Sequence, residues 1–491
     1  MNAGAVYPSH VGRALLVLVL GAGLVAVTGC GSSSRSGVVI PPATNNALLS
    51  GRYAFTFSGQ NGNGILAAVG SFTADGRGNI TAGSEDVNNG LGSLNLSFTG
   101  TYSIGSDKRG IAVLSTSNGP ATWQFTMVNN SHALLVRFDT FATASGSIDL
   151  QDSTAFSTSA LNGGYVFNFA GLGLNTGNIS MAGIWTMDGA GNFTAGVLDV
   201  NDTGALVANS PLSGSYTVTN AANGRGLATI TSGNGTQGFV FYVVNSKDLK
   251  FLETDSLPIT TGEVLQAAAG PFSTGTLQGN FAFTVGGESS SLLPLAAGGL
   301  FTADGGGHLT SVILDDNNNG NVITNEQFTG TYSVNSAGRG VLTFGTLQFA
   351  FYVSASGTVE LVEIDTSGIT SGFARAQAAG PFGPSTLSGN YAFNLSGTNL
   401  NVFSEEDIGG TLSSNGSGGI SGTLDINNSG TLLQGVGLSN STYSMAANGR
   451  GSANLNSSPA SFVAQTYQVD ANTVLILEAD NLRVMTGILQ K

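Results

Sequence analysis

Apolar side chains in this chain fall at every second position over short runs, the period of a half-buried β-strand. In Tyr53-Ala-Phe-Thr-Phe57 the rings alternate with smaller residues and therefore share one face. Asp-Gly-x-Gly segments between such runs supply the positive-φ positions of tight hairpins. Within residues 161–272 this pattern predicts strands near 163–170, 180–188, 191–199, 212–219, 225–232, 236–244, 248–255 and 260–266. No stretch sustains helical spacing. Short antiparallel strands joined by turns predict an all-β unit: an up-and-down eight-stranded barrel that closes its own edges, with a two-sheet sandwich as the alternative.

The unit occurs four times. Its opening phrase reads Leu49-Ser-Gly-Arg-Tyr-Ala-Phe and returns at Leu161, Leu277 and Leu387. A second phrase begins Phe72-Thr-Ala-Asp-Gly-Arg-Gly and returns at Trp185, Phe301 and, degraded, Leu412. A third sets Tyr102, Tyr216, Tyr332 and Tyr443 ahead of Arg109, Arg225, Arg339 and Arg450. Units of about 110 residues are domain-sized, well above the roughly 20–50 residues of solenoid repeats, so each is expected to hold its own core. The predicted organisation is an export segment over 1–29, a tether over 30–48, and repeats at 49–152, 161–272, 277–382 and 387–491, the last divergent. Ala-Ala-Gly-Pro-Phe joints at Gly270-Pro271 and Gly380-Pro381 break any continuing strand, which predicts beads on a short string.

Composition narrows the class. Charged residues are 9% and hydrophobic residues 41%, with 73 glycines and a net charge of −14. This excludes a coiled coil and a charge-coated cytosolic enzyme, and the apolar content exceeds that of a disordered chain. The acidic balance argues against nucleic acid, whose binding needs basic patches. The apolar run Ala14–Val27 follows Arg13 and is shorter than the roughly 20 residues a membrane span needs, so it reads as a secretory signal. It ends in Val27-Thr28-Gly29-Cys30, and Cys30 is the one cysteine of the chain. This segment resembles the lipobox of bacterial lipoproteins, which implies cleavage before Cys30 and lipidation of its thiol and amine. The resemblance implies stable membrane attachment through several acyl chains. Gly31-Ser32 in place of an aspartate-led sorting signal points to the outer membrane or cell surface rather than the inner membrane. The strand layout resembles lipocalin and avidin barrels, and the whole chain resembles multi-repeat β-domain lipoproteins of bacteria.

Two groups of recurring residues carry candidate chemistry. Glu253-Thr-Asp255, Glu363-Ile-Asp365 and Glu478-Ala-Asp480 place two carboxylates on one strand face, with Arg137-Phe-Asp139 at this place in the first unit. The first expectation is structural pairing with Arg109, Arg225, Arg339 and Arg450, because a guanidinium fork matches a carboxylate. A ligand-recognising charge cluster is the alternative, and catalysis the remote one, since glycosidase carboxylates face each other across a substrate. The second group pairs Asp86 with Asn88, Asp199 with Asn201, Asp315 with Asn317, and Asp425 with Asn427, each before a glycine. Turn chemistry is the first expectation for it, and weak calcium binding the alternative, since it resembles the opening half of a calcium loop without the distal Glu. No catalytic residue, firm metal site or cofactor is assigned. The three histidines form no cluster, the glycine-rich turns open no helix, and Trp123 and Trp185 read as core. The sequence therefore points to a non-enzymatic, lipid-anchored surface or envelope protein whose β domains bind an unidentified extracellular partner or serve a structural role. A carrier holding a small ligand inside the barrels is the alternative, and a carbohydrate-active hydrolase the second.

Overall fold

A computed structural model describes residues 38–491 apart from Thr176 and Pro459. The export segment and Cys30 lie outside the described residues. Strands β1 (Ser50–Asn61), β2 (Gly64–Asp75), β3 (Asn79–Asn88), β4 (Ser93–Ile104), β5 (Arg109–Thr116), β6 (Gly119–Met127), β7 (His132–Phe138) and β8 (Ala142–Leu150) form a closed antiparallel barrel. Closure comes from β1 pairing with β8, Tyr53 opposite Leu150 and Asn61 opposite Ala142. Three more barrels follow in tandem, so the repeats are closed barrels and not sandwiches. In the second barrel all eight expected strands are present. Its fourth is split into Ala205–Pro211 and Ser213–Asn220, where the register shifts from Pro211 opposite Val197 to Gly214 opposite Phe193; the fourth barrel repeats this split.

The alternation that predicts the strands also fills the interiors. Trp123 sits among Phe55, Phe57, Phe72 and Phe98 with centroids 4.8–6.2 Å apart. Trp185 stacks on Phe167 at 4.2 Å and meets Phe193 at 4.8 Å. Such aromatic packing is worth about 0.5–1.5 kcal/mol per pair beyond burial. A short 3-10 turn before each first strand plugs one end. The tyrosine of the third phrase ties that plug down: Tyr102, Tyr216, Tyr332 and Tyr443 donate to the carbonyls of Leu49, Leu161, Leu277 and Leu387. In the first three repeats the glycine after the arginine leaves room for a ring from the neighbouring strand. A Cβ on Gly226 would lie 2.1 Å from Phe241.

The expectation of separate beads is not what the structure contains. Residues 38–491 form one compact unit in which the four barrels close into a ring. The first two strands of each barrel pack on the last three of the next, and the fourth barrel packs on the first in the same way. Short outward residues allow the close approach: Ala54, Ala67 and Val69 meet Val240, Tyr242 and Leu252. Val166, Ala182 and Ile184 meet Ala350, Tyr352 and Val362. Ala282, Ala296 and Leu300 meet Tyr467, Leu475 and Leu477. The closing seam is thinner, with Ala392 against Val128 and Leu134.

Candidate functional site: the seams, the mouths and the axis

Each repeat arginine stands at the start of a fifth strand, Arg339 one residue before it, and leans outward over the preceding barrel. Arg225 bonds Asp86 through Nε at 2.8 Å and Nη2 at 2.7 Å. Arg339 bonds Asp199 at 2.7 Å through both nitrogens. Arg450 bonds Asp315 through Nε at 2.8 Å and Nη2 at 2.5 Å. Arg109 closes the ring on Asp425, its Nη1 3.0 and 3.1 Å from the two carboxylate oxygens. The expected pairing of these arginines with the Glu-x-Asp carboxylates is thus corrected. Each arginine meets the Asp of an Asp-x-Asn segment in the neighbouring repeat, brought there because the third strand of one barrel faces the fifth of the next, and Arg109 also bonds Asp107 of its own repeat at 2.7 Å. A tyrosine missed from the sequence completes three of the four seams: Tyr242, Tyr352 and Tyr467 donate to Asp86, Asp199 and Asp315 at 2.5–2.8 Å. Burial and the adjacent carboxylate push these phenols well above their ordinary value. Thr126 stands at this register in the first barrel, opposite Arg109.

The asparagines lie in the same seams. Asn88 donates to the carbonyls of Glu253 and Asp255, Asn201 to Glu363 and Gly368, Asn317 to Glu478, Asp480 and Arg483, and Asn427 to Arg137, Asp139 and Ala142. Their Oδ1 atoms cap the turn glycines Gly90, Gly204, Gly320 and Gly430. The oxygens considered for calcium are therefore engaged by guanidinium, phenol and backbone N–H groups. Among the described residues no group of three or more His, Cys, Asp or Glu side chains is placed to hold a metal.

The Glu-x-Asp acids divide between two tasks. The aspartates cap backbone: Asp255 accepts from Gly238 N–H, Asp365 from Gln348 and Ser367, Asp480 from Leu482, and Asp139 from Thr122, Phe141 and Ala142. The glutamates are buried: Glu363 lines the mouth of the third barrel, and Glu478 accepts from the N–H groups of Val463 and Asp480. Glu253 accepts from Gln237 and Thr260, and Glu363 from Thr370 and Ser367. Burial pushes Glu253 up to about 8, Glu363 to about 7 and Glu478 to about 9. In the first barrel Arg137 bonds Asp139 at 2.6 Å, and the interior acid is instead Glu85, raised by burial to about 7 against the pull of Arg137. Arg483 and Glu406 pair in the mouth of the fourth barrel.

Two cavities accompany these features. One of about 360 Å³ opens in the mouth of the third barrel, walled by Val285, Phe328, Phe344 and Phe349 with Asp316, Glu326 and Glu363. Burial and the neighbouring acids raise Asp316 to about 6. A groove of about 630 Å³ runs beside the joint between the second and third barrels, floored by Ile184 and Val197 and edged by Phe272.

A charged hub at the ring axis was also not read from the sequence. Lys250 is fully buried and bonds Asp149 of the first barrel and Glu263 of its own at 2.8 Å each. Asp149 holds His132, whose other nitrogen meets Gln490 of the fourth barrel at 2.9 Å. Against the cost of burial, Lys250 and His132 hold Asp149 well below the ordinary carboxylate range. The visible signal is a lysine alternating with apolar residues in Asp248-Leu-Lys-Phe-Leu252, where a solvated face would carry more polar neighbours.

No protein-family model matches this chain, and no curated protein matches it.

Proposed function

We propose that the protein is a non-enzymatic, lipid-anchored scaffold of the cell envelope that presents a rigid four-barrel ring to an extracellular or envelope partner. One observation carries this reading: the arginine and the Asp-x-Asn pair that recur in all four repeats are spent on joining barrels. Arg339, Asp199, Tyr352 and Asn201 make seam bonds, as do their counterparts. Repetition that builds one body suits presentation and support, whereas four equivalent active sites would leave recurring reactive groups unspent. The aromatic filling of the first two interiors further favours a scaffold over a carrier. The test is fractionation of cells expressing the full chain, with palmitate labelling and protease treatment of intact cells. The native protein is expected in the membrane fraction, labelled and cleaved from outside, and Cys30→Ser is expected to be unlabelled and released. A wild type that is unlabelled and soluble would remove the reading.

A second reading, carriage of a small ligand, has support in the third barrel. Its mouth cavity of about 360 Å³ falls within the roughly 300–1,000 Å³ of ligand pockets and joins aromatic walls to carboxylates. Titration of the full chain with a small aromatic amine, followed by Phe328→Ala, separates this reading from the scaffold.

A further inference from the structure

The two ends of the ring differ. Because the barrels are related by equivalent seams, the loops after their first, third, fifth and seventh strands share one end, and the Asp-Gly-x-Gly turns share the other. Large apolar side chains stand exposed at the first end: Leu91 is 85% exposed, Phe141 72% and Val402 60%, with Phe403, Leu174 and Leu292 beside them in the corresponding loops. These loops contain no lysine or arginine, their charges being the aspartates that cap backbone, and Arg483 at the start of the last strand is buried against Glu406. The opposite end carries exposed ions, among them Arg77 and Asp304. A water-facing surface gains nothing from this division, and an apolar patch spread over four loop sets marks a contact surface.

The N-terminal segment indicates what covers it. From the plug at Asn46–Leu48 the chain runs back along the closing seam, where Ser103 donates to the Pro41 carbonyl. Val39 then exchanges two hydrogen bonds of 2.6 Å with Gln434 of the fourth barrel. Gln434 is the fourth residue of Thr431–Gly437, which leaves the apolar-end turn, so Val39 lies roughly 10 Å from that end at about 3.3 Å per residue. Cys30 stands eight residues before Val38, and eight residues have a mean coil span of about 16 Å, more than the distance from Val39 to the apolar end.

We infer that the apolar loop end of the ring seats on the lipid surface that holds Cys30, with Phe141, Val402 and Phe403 entering the headgroup–acyl boundary. The inference rests on the lipid-anchor reading above. The loops bring no lysine or arginine to that boundary, their aspartates Asp139, Asp255, Asp365 and Asp480 are held by backbone N–H groups, and the acyl chains of Cys30 supply the affinity. The opposite end then faces away from the membrane and is the surface presented to a partner.

The full chain, purified from membranes and reconstituted in vesicles of acyl-brominated phosphatidylcholine, tests this. The native tryptophans, Trp123 and Trp185, are buried in barrel cores and provide the background. Phe141→Trp and Val402→Trp are expected to lose most of their added fluorescence to the bromines, and Arg77→Trp to lose none. Intact mass reports the lipid on Cys30. A lipidated protein without quenching at Phe141→Trp and Val402→Trp, or with equal quenching at Arg77→Trp, overturns the orientation and leaves the anchor standing. Absent quenching with a doubled mass in sedimentation assigns the apolar end to a second copy, which also overturns it. An unlipidated Cys30 removes the anchor and the inference together.

Discussion

Arg339 of the third barrel reaches across the seam and grips Asp199 of the second, Nε on one carboxylate oxygen and Nη2 on the other, both at 2.7 Å. Asp199 is fully buried and Arg339 nearly so, and Tyr352 adds a third bond to the same carboxylate. Desolvation of such a pair consumes much of its Coulomb energy, so its main product is register: it fixes which faces of two barrels meet.

The first prediction follows from that geometry. Arg339→Ala leaves Asp199 buried without its cation and should cost about 3–5 kcal/mol in denaturant unfolding of the full chain. Adding Asp199→Asn should recover about 1–3 kcal/mol of the summed losses. Adding Glu363→Gln should be additive within about 0.5 kcal/mol, because Glu363 bonds Thr370 and Ser367 instead. Coupling to Glu363 in place of Asp199 would refute the seam assignment.

The closing seam should open first. Arg109 divides its guanidinium between Asp107 and Asp425, Thr126 supplies no phenol, and the apolar contact is thin. Burial also raises Asp425 against the pull of Arg109. Hydrogen exchange should therefore be fastest around Thr126 and Asp425, and slower around Tyr352 with Asp199 and Tyr467 with Asp315. Deleting residues 38–45 should accelerate exchange at the closing seam alone. Uniform protection at all four seams would contradict this.

An isolated third repeat, residues 272–382, keeps its aromatic core around Phe283, Phe301 and Phe351 but loses both neighbours. Ala282 and Leu300 then face water on one side, and Ala350, Tyr352 and Val362 on the other. The fragment should give a β-type circular dichroism spectrum and self-associate in sedimentation. A monodisperse monomer as stable as the full chain would show that the seams contribute little.

What the sequence disclosed and what it hid follow the range of the interactions. The alternation in Tyr53–Phe57 and the Asp-Gly-x-Gly turns are local, so strands, hairpins and closed barrels were legible from them. The split at Leu212 was not, because Ala205–Pro211 pairs only with the third strand and its residues carry no clear alternation. The seam was ambiguous for a different reason. Three repeats hold the same arginine and the same acids, so pairing within a repeat and pairing with the next leave one signature. Only the three-dimensional register decides between Glu363 and Asp199 as the partner of Arg339. The axial hub escaped notice because Lys250, Asp149, His132 and Gln490 come from three repeats and recur in none.

The buried acids set a pH dependence whose sign can be worked out. Burial raises Glu253 to about 8, Glu360 to about 8, Glu363 to about 7 and Glu478 to about 9, against about 4.3 in an unfolded chain. Between those values the folded state holds protons that the unfolded state has released, so stability falls as pH rises. The contribution is complete below about pH 4.3 and is lost as pH climbs through 7–9. His132 acts in the same direction: although burial opposes its charge, Asp149 raises it, so its stabilisation fades above its ordinary value. Asp75 and Asp304 act oppositely. Hydrogen bonds from Asn79 and His308 hold both near 2, and their contribution is lost as pH falls below the ordinary carboxylate range. The melting temperature should accordingly be highest near pH 5 and decline steadily to pH 9. Glu253→Gln and Glu478→Gln keep the neutral form at all pH and should each flatten the decline, retaining about 1–3 kcal/mol at pH 9. Melting temperatures that hold level from pH 5 to pH 9, or that rise, would mean these glutamates ionise freely in the folded ring.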